Sequence, residues 1–505
     1  MMMNQRRASI VGVMVLVLAG AATADVTLPS VFGHHMVMQR GRELPVWGRA
    51  DPGERVSVSM AGNTTTAVAD EDGAWMVRLP AMSAGGPHAM IINGENRIRF
   101  EDILIGEVWI CSGQSNMEWP VSRSNDAERE IASADHRRIR LFDVPRRPSG
   151  LPRDDVDAAW KVCAPETIGG FSAVAYFFGR ELLEELDVPT GLVNTSWGGT
   201  RIEPWTPLPG FAAIEETRPI VGEIRQANRL YRRSVRDALD DMEAWVANTR
   251  DALDSGESIT PLPLPPPHPL NGHRQPTGLY NGMVHPLVPF AIRGAIWYQG
   301  EANRGDGSAY AAKMRALIAG WRAVWDQGEF PFYYVQLAPF RYGGDPYLLP
   351  LIWEAQTDVL SVPNTAMAVI NDIGNLRDIH PRNKQDVGKR LALWALAKTY
   401  DRDAVVYCGP MYRSMVVEGD RIRLRFDHIG GGLTARDDQA LTWFEIAGAD
   451  GNYVKANAEI DGDTVIVSGD AVPQPVSVRF AWHQEAEPNL MNEEGLPAAP
   501  FRTDR

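Results

Sequence analysis

Between about residue 105 and residue 402, four short apolar runs each stop at a tip rich in glycine, amide or hydroxyl residues. Val108 to Cys111 ends at Gly113-Gln114-Ser115, and Gly191-Leu192-Val193 ends at Asn194-Thr195-Ser196-Trp197-Gly198-Gly199. Gly294 to Tyr298 ends at Gln299-Gly300-Glu301, and Thr365 to Ile370 ends at Asn371-Asp372. Apolar runs of this length, closed by turn residues, read as strands buried on both faces. Helical stretches, Phe177 to Leu186 and Lys384 to Tyr400, lie beside them. This alternation predicts an α/β core, a parallel sheet covered on both sides. The C-terminal ends of such strands share one edge, so the tips should gather there.

The flanks have a different texture. Residues 25–104 hold short runs of period-two alternation, such as Arg55 to Met60 and Gly73 to Leu79, broken by turns. They predict a small antiparallel β domain. Residues 403–505 return to β-type runs, such as Thr464 to Ser468 and Val476 to Phe480. Within the middle region, 105–402, residues 211–270 form an excursion. It is charged and helix-prone through Asp240-Asp241, then extended through the proline-rich run Pro261 to Pro269. A lid and a solvated hairpin both suit it.

The first 24 residues read as a secretory signal. Arg6 and Arg7 precede an apolar run from Ala8 to Ala19, and Ala22-Thr23-Ala24 offers a cleavage site after Ala24. The expected location is secreted or periplasmic. Asp25 stands where a lipid-anchored chain would have Cys, and no later stretch approaches membrane-spanning length. No membrane partner is expected once the signal is removed. A formal charge of −14 argues against nucleic acid as a partner. Nothing pairs the three cysteines by spacing, and Cys111, in an apolar strand, reads as a buried free thiol. No Cys/His group has zinc spacing, so no metal is expected. The sequence sets no oligomeric state.

The tips bring together a serine, a glycine pair, a glutamine and a histidine-bearing loop, Asp378-Ile379-His380-Pro381. Acyl transfer uses such a set. A serine hydroxyl needs a base within hydrogen-bond reach, and the developing oxyanion needs fixed donors. The Ser115 N–H, the Gly198 or Gly199 N–H and the Gln299 side-chain amide could supply them. His285, in Asn281 to Pro286, is the rival base.

The segments GQSNMEW, NTSWGGTRIEPW, LYNGMVHPL, WYQGEAN and DIHPRNKQDVG resemble the motif blocks of sialate O-acetylesterase-type enzymes of the SGNH hydrolase superfamily. The similarity extends to the opening LPSVFGHHMVMQR and VWGRADPGE and to the closing GLPAAPFRTD. The resemblance implies a three-layer α/β/α core with β-sandwich-like domains at both ends. It implies Ser115 as nucleophile, His380 as base, and Ser115, Gly199 and Gln299 in the oxyanion hole. It also implies acetyl esters of sugars as substrates, with no cofactor.

One position departs from the pattern. Arg377 stands where the superfamily has its acid, leaving Asp378, Asp372 or a backbone carbonyl to orient the imidazole. Residues two apart share a face in an extended segment, and Pro381 disfavours a helical His380, so Asp378 is expected to reach the ring. Glu118, Trp119, Arg201 and Glu301 are candidate sugar contacts. Glu118, Arg201 and Glu203 suit a salt-bridge frame equally well, and Glu301 suits a brace for Gln299. Trp119, Trp197 and Trp205 could stack on sugar or fill core. Three rivals remain: an acetylxylan esterase of the same mechanism, a glycosidase using Glu301 and Glu354, and a non-catalytic sugar-binding protein.

Overall fold

The computed structural model describes residues 25–504, so the expected signal segment lies outside the described residues. One strand, β1 (Arg97–Gly113), runs through the junction between the first β region and the α/β core. Its first six residues alternate between exposed and partly buried, as in a sheet with one wet face. From Ile103 to Gly113 every residue is buried, as in a sheet covered on both sides. The switch in burial marks where the strand passes from one environment to the other.

The core sheet adds β2 (His136–Asp143), β3 (Trp160–Cys163), β4 (Thr190–Ser196), β5 (Gly294–Tyr298), β6 (Phe332–Val335) and β7 (Thr365–Ala368). Their order is β7-β6-β5-β1-β4-β2-β3, and all but the edge strand β3 run parallel. Strand β1 has β4 on one side and β5 on the other. The chain therefore leaves β1 at the point where strand order reverses, the position at which such sheets open a crevice.

A short helix, α1 (Ser115–Glu118), follows β1 directly. The long helices are α2 (Ala173–Leu186), α3 (Arg218–Ser255), α4 (Tyr310–Trp325), α5 (Leu348–Asp358) and α6 (Lys384–Lys398). Register shows how they sandwich the sheet. Trp109 of β1 pairs with Gly294 of β5, whereas Trp297 of β5 pairs with Ser112, so the two tryptophans face opposite sides. Trp109 meets Phe178 of α2 edge-on at 5.0 Å, and Trp297 meets Trp321 of α4 edge-on at 6.2 Å. Helix α6 lies against α2 so closely that a methyl group on Gly388 would sit 2.6 Å from the Phe177 Cβ. The expected three-layer α/β/α arrangement is what forms.

The apolar core is continuous from Val26 in the first β region to Leu396 in α6. Residues beyond 408 form a second core around Ile422, Leu424, Val465 and Val467 from one antiparallel sheet and Phe444, Ile446, Val478 and Phe480 from another. The excursion is helix α3 followed by an extended return. Trp245 Nε1 donates to the Thr260 carbonyl at 2.7 Å, and His268 meets Asn228 at 3.0 Å, so the return runs back along the helix. Only its base, Val221, Ile224 and Leu270, joins an apolar cluster with Phe211 and Ala316. Cys111, Cys163 and Cys408 are buried and free. No described helix is long and apolar enough to cross a membrane.

Candidate active site

Ser115 leaves the sheet at the tip of β1. A side chain on Gly113 (φ 147°) would strike the Tyr298 carbonyl at 2.1 Å, so glycine lets the tips of β1 and β5 close on each other. The Gln114 N–H then donates to that carbonyl at 3.0 Å, and Ser115 opens α1 with its hydroxyl at the surface of a cleft.

His380 sits on the loop that follows β7, with Nε2 2.9 Å from Ser115 Oγ. Asp378 Oδ1 lies 3.3 Å from His380 Nδ1 and also accepts the His380 backbone N–H at 3.0 Å. This side-chain turn across two residues holds the segment in the form that lets both groups share a face. Trp119 stacks on the imidazole, with centroids 4.8 Å apart and planes at 17°, and the Arg123 guanidinium lies 5.1 Å from the Trp119 ring. Burial pushes the His380 pKa below its ordinary value, and Lys384 and Arg123 push the same way against Asp378. The imidazole is thus held neutral at physiological pH, as a proton acceptor must be.

The loop after β4 arrives beside Ser115. A methyl group on Gly198 would lie 3.2 Å from the Ser115 Cβ and 2.9 Å from Glu118 Oε2. Glu118 accepts the Gly198 N–H at 2.6 Å and pairs with Arg146. With that N–H committed, the neighbouring donor on the loop is Gly199, which is exposed and has φ 72°.

Gln299 does not take the place expected of it. Its side chain is fully buried, and Nε2 donates to the Thr200 carbonyl at 3.1 Å and to Asn303 Oδ1 at 2.7 Å. Its Oε1 accepts from the Tyr310 hydroxyl at 2.7 Å. Both amide hydrogens are consumed within the protein, which leaves none for an oxyanion. Gln299→Ala is therefore expected to act first on stability. It would leave the buried Thr200 carbonyl without its donor, take one bond each from Asn303 Oδ1 and the Tyr310 hydroxyl, and lower the unfolding free energy by about 2 kcal/mol. Thermal melts beside kinetics check this. A mutant with parental melting and a kcat more than roughly 10²-fold down, the scale of a lost oxyanion donor, would restore the donor role.

The cleft above Ser115 measures about 550 Å³. It is lined by Glu118, Trp119, Pro120, Arg123, Asp143 to Arg146, Asn194, Ser196 and His380. Of the expected sugar contacts, Glu118 and Trp119 line it. Arg201 and Glu301 do not. Arg201 is bound by Glu203 at 3.0 Å and Asp306 at 2.9 Å, a frame that Lys313 completes. The Glu301 carboxylate is buried and accepts from Asn116 Nδ2 at 2.5 Å. Glu354, its expected glycosidase partner, is paired with Arg502 at 2.9 Å.

The rival assignments also find their places. Asp372 is bound by Arg390 through two contacts of 2.6 and 2.7 Å, so it is not the group at the imidazole. His285 donates to or accepts from nothing at this site; its Nδ1 meets the Arg153 carbonyl at 2.9 Å in a separate cleft under the first β region. Trp205 is core, and Trp197 stacks on His273. Asn194 belongs to the tip after β4, whereas Arg123, Asp143 and Arg146 are lining residues that the sequence reading does not single out. A signal existed for two of them, because Asp143 ends β2 and Arg146 follows it, at the same sheet edge as the other tips. Among the described residues no group of three or more His, Cys, Asp or Glu could hold a metal ion.

Residues 105–249 and 270–396 match the family described as carbohydrate esterase, sialic acid-specific acetylesterase. The chain is 31% identical to the sialate O-acetylesterase of Mus musculus over 444 residues, covering 79% of each chain. It is 30% identical to that of Homo sapiens over 523 residues, covering 94% of this chain and 91% of the human one. The crystal structure of a carbohydrate acetylesterase from Xanthomonas citri superposes with a TM-score of 0.80 at 37% identity. That match covers 95% of this chain and 100% of the other.

Proposed function

This chain belongs to the sialic acid-specific acetylesterase family of carbohydrate esterases and is a carboxylic ester hydrolase, and from that premise we propose that it removes O-acetyl groups from sugars through an acetyl-enzyme on Ser115. The observation that carries the mechanism is the 2.9 Å approach of His380 Nε2 to Ser115 Oγ in an open cleft. Ser115 Oγ attacks the acetyl carbonyl while His380 Nε2 takes its proton. The oxyanion meets the backbone N–H groups of Ser115 and Gly199. His380 then gives the proton to the departing sugar oxygen. A water molecule, deprotonated by His380, attacks the acetyl-enzyme, and acetate leaves as Ser115 regains its proton.

An acidic sugar is the substrate we infer. Arg123 has no carboxylate partner among the described residues, and it reaches the cleft over the face of Trp119. A sugar carboxylate could pair with that guanidinium. Acetate release from O-acetylated sialic acid and from acetylated xylan, measured side by side, tests the assignment. Arg123→Ala should raise KM roughly tenfold for the sialic acid, about the loss of one charge-assisted hydrogen bond. Equal KM values for parent and variant, with xylan preferred, would make a neutral acetylated polysaccharide the substrate. Acetate release blocked by a serine-reactive inhibitor separates an esterase from a sugar-binding protein.

The pH dependence has a definite sign. His380 acts as a base only when neutral, and its pKa lies below the ordinary 6.5 because the ring is buried. kcat/KM should therefore be flat near neutrality and fall as pH drops through a value below 6.5. An acid limb above 6.5 would contradict the site's electrostatics. We also propose export, supported by Arg6, Arg7 and the apolar run that follows them.

A further inference from the structure

Directly beneath the Ser115–His380 pair lies a buried polar network. Asn116, next to the nucleophile, is 1% exposed. Its Nδ2 donates to Glu301 Oε1 at 2.5 Å and to the Ile379 carbonyl at 3.0 Å, and its Oδ1 accepts from Lys384 Nζ at 2.6 Å. One amide thus joins the turn after β1, the turn after β5, the residue before His380 and the start of α6. The amide has only one orientation that works. Reversed, it would set NH₂ against an ammonium and oxygen against two acceptors.

These groups are costly where they are. Lys384 is fully buried, and it occupies the first turn of α6, where the helix end already carries partial positive charge. Glu301 Oε2 and the hydroxyls of Tyr298 and Tyr342 are buried with no hydrogen-bond partner among the described residues. An apolar side chain at 384 would avoid the desolvation of an ammonium, so stability does not account for the lysine. Its surroundings point to the reaction. Glu301 and Asp378 attract it, the Tyr298 ring lies 5.0 Å from Nζ, and its charge acts on His380 together with those of Asp378 and Arg123.

We propose that Asn116, Glu301 and Lys384 are positioning residues: one amide, held in a single orientation by the Glu301 carboxylate and the Lys384 ammonium, pins the nucleophile turn to the histidine loop. The inference rests on the esterase reading above. Burial pushes the Lys384 pKa down to about 7, against the pull of Glu301 and Asp378. The charge is therefore present in mildly acidic solution, where His380 would otherwise protonate. Removing it should favour imidazolium, so the acid limb of kcat/KM should move to higher pH.

The test uses the full chain and p-nitrophenyl acetate. Asn116→Ala should lower kcat roughly 10²-fold with KM within twofold, the scale of a misplaced catalytic group. Lys384→Met should shift the acid limb upward. Glu301→Gln keeps an acceptor for Asn116 but removes the counter-charge of Lys384, so it should shift the limb in the same direction. It carries the test if Lys384→Met does not fold. Variants that melt at lower temperature but keep parental kcat and acid limb would overturn the proposal, because a structural role alone moves only the melt. Those results would leave the esterase reading standing. A parent that releases no nitrophenol would remove both.

Discussion

Ser115→Ala is expected to lower kcat by roughly 10⁴-fold or more, the scale of losing a nucleophile that acts in concert with its base. The hydroxyl faces His380 and the cleft, not the core, so its loss removes the attacking atom without opening a cavity. The Tm should stay within about 2 °C of the parent, since a surface truncation of this kind changes stability by about 0.5 kcal/mol or less. Acetate release from an acetylated sugar and a thermal melt on the same preparation check both halves. A variant retaining more than about a hundredth of the parental rate would remove Ser115 from the reaction.

Asp378→Asn should produce the next largest loss, a fall in kcat of roughly 10²–10³-fold, below the ~10⁴ of a deeply buried triad acid. The reason for the smaller figure is geometric. Asp378 Oδ1 lies 3.3 Å from His380 Nδ1, shares itself with the His380 N–H, and belongs to a side chain that is 43% exposed. The variant should also move the acid limb to lower pH, because Asp378 raises the His380 pKa. That direction is opposite to the one expected for Lys384→Met. A loss of tenfold or less, with a lower Tm, would mean that Asp378 only closes the turn. Ser115 and His380 would then work as a dyad.

Much of the site's placement was legible in the chain because it rests on local pattern. The apolar runs of β1, β4, β5 and β7 and the residues that stop them predict strands and a shared edge, with Ser115, the Gly198-Gly199 pair and the His380 loop along it; the choice of Gly199 and His380 came from the family resemblance. The motif segments carried the family. Pro381 and the two-residue spacing were enough to bring Asp378 toward the imidazole. What failed was the assignment of buried amides and charges to the cleft. Gln299 stands at the tip of β5 as expected, yet Thr200 and Asn303 take both its hydrogens. Arg201 and Glu301 lie within the motif segments, yet Asp306 and Asn116 hold them away from the cleft.

The difference has a physical cause. Strand and helix periodicity is written in neighbouring residues, so the sequence by itself determined the layers, the strand edge and the turn that carries Ser115. Hydrogen-bond partners of polar side chains are chosen across the fold: Asn116 and Lys384 are 268 positions apart, and His380 and Ser115 are 265. Only the tertiary structure decided that Lys384 turns inward, that Arg123 meets the cleft and that Gln299 is spent on its own loop. A polar group's role depends on which of its donors and acceptors burial leaves unused, and that remainder exists only once the chain has closed around it.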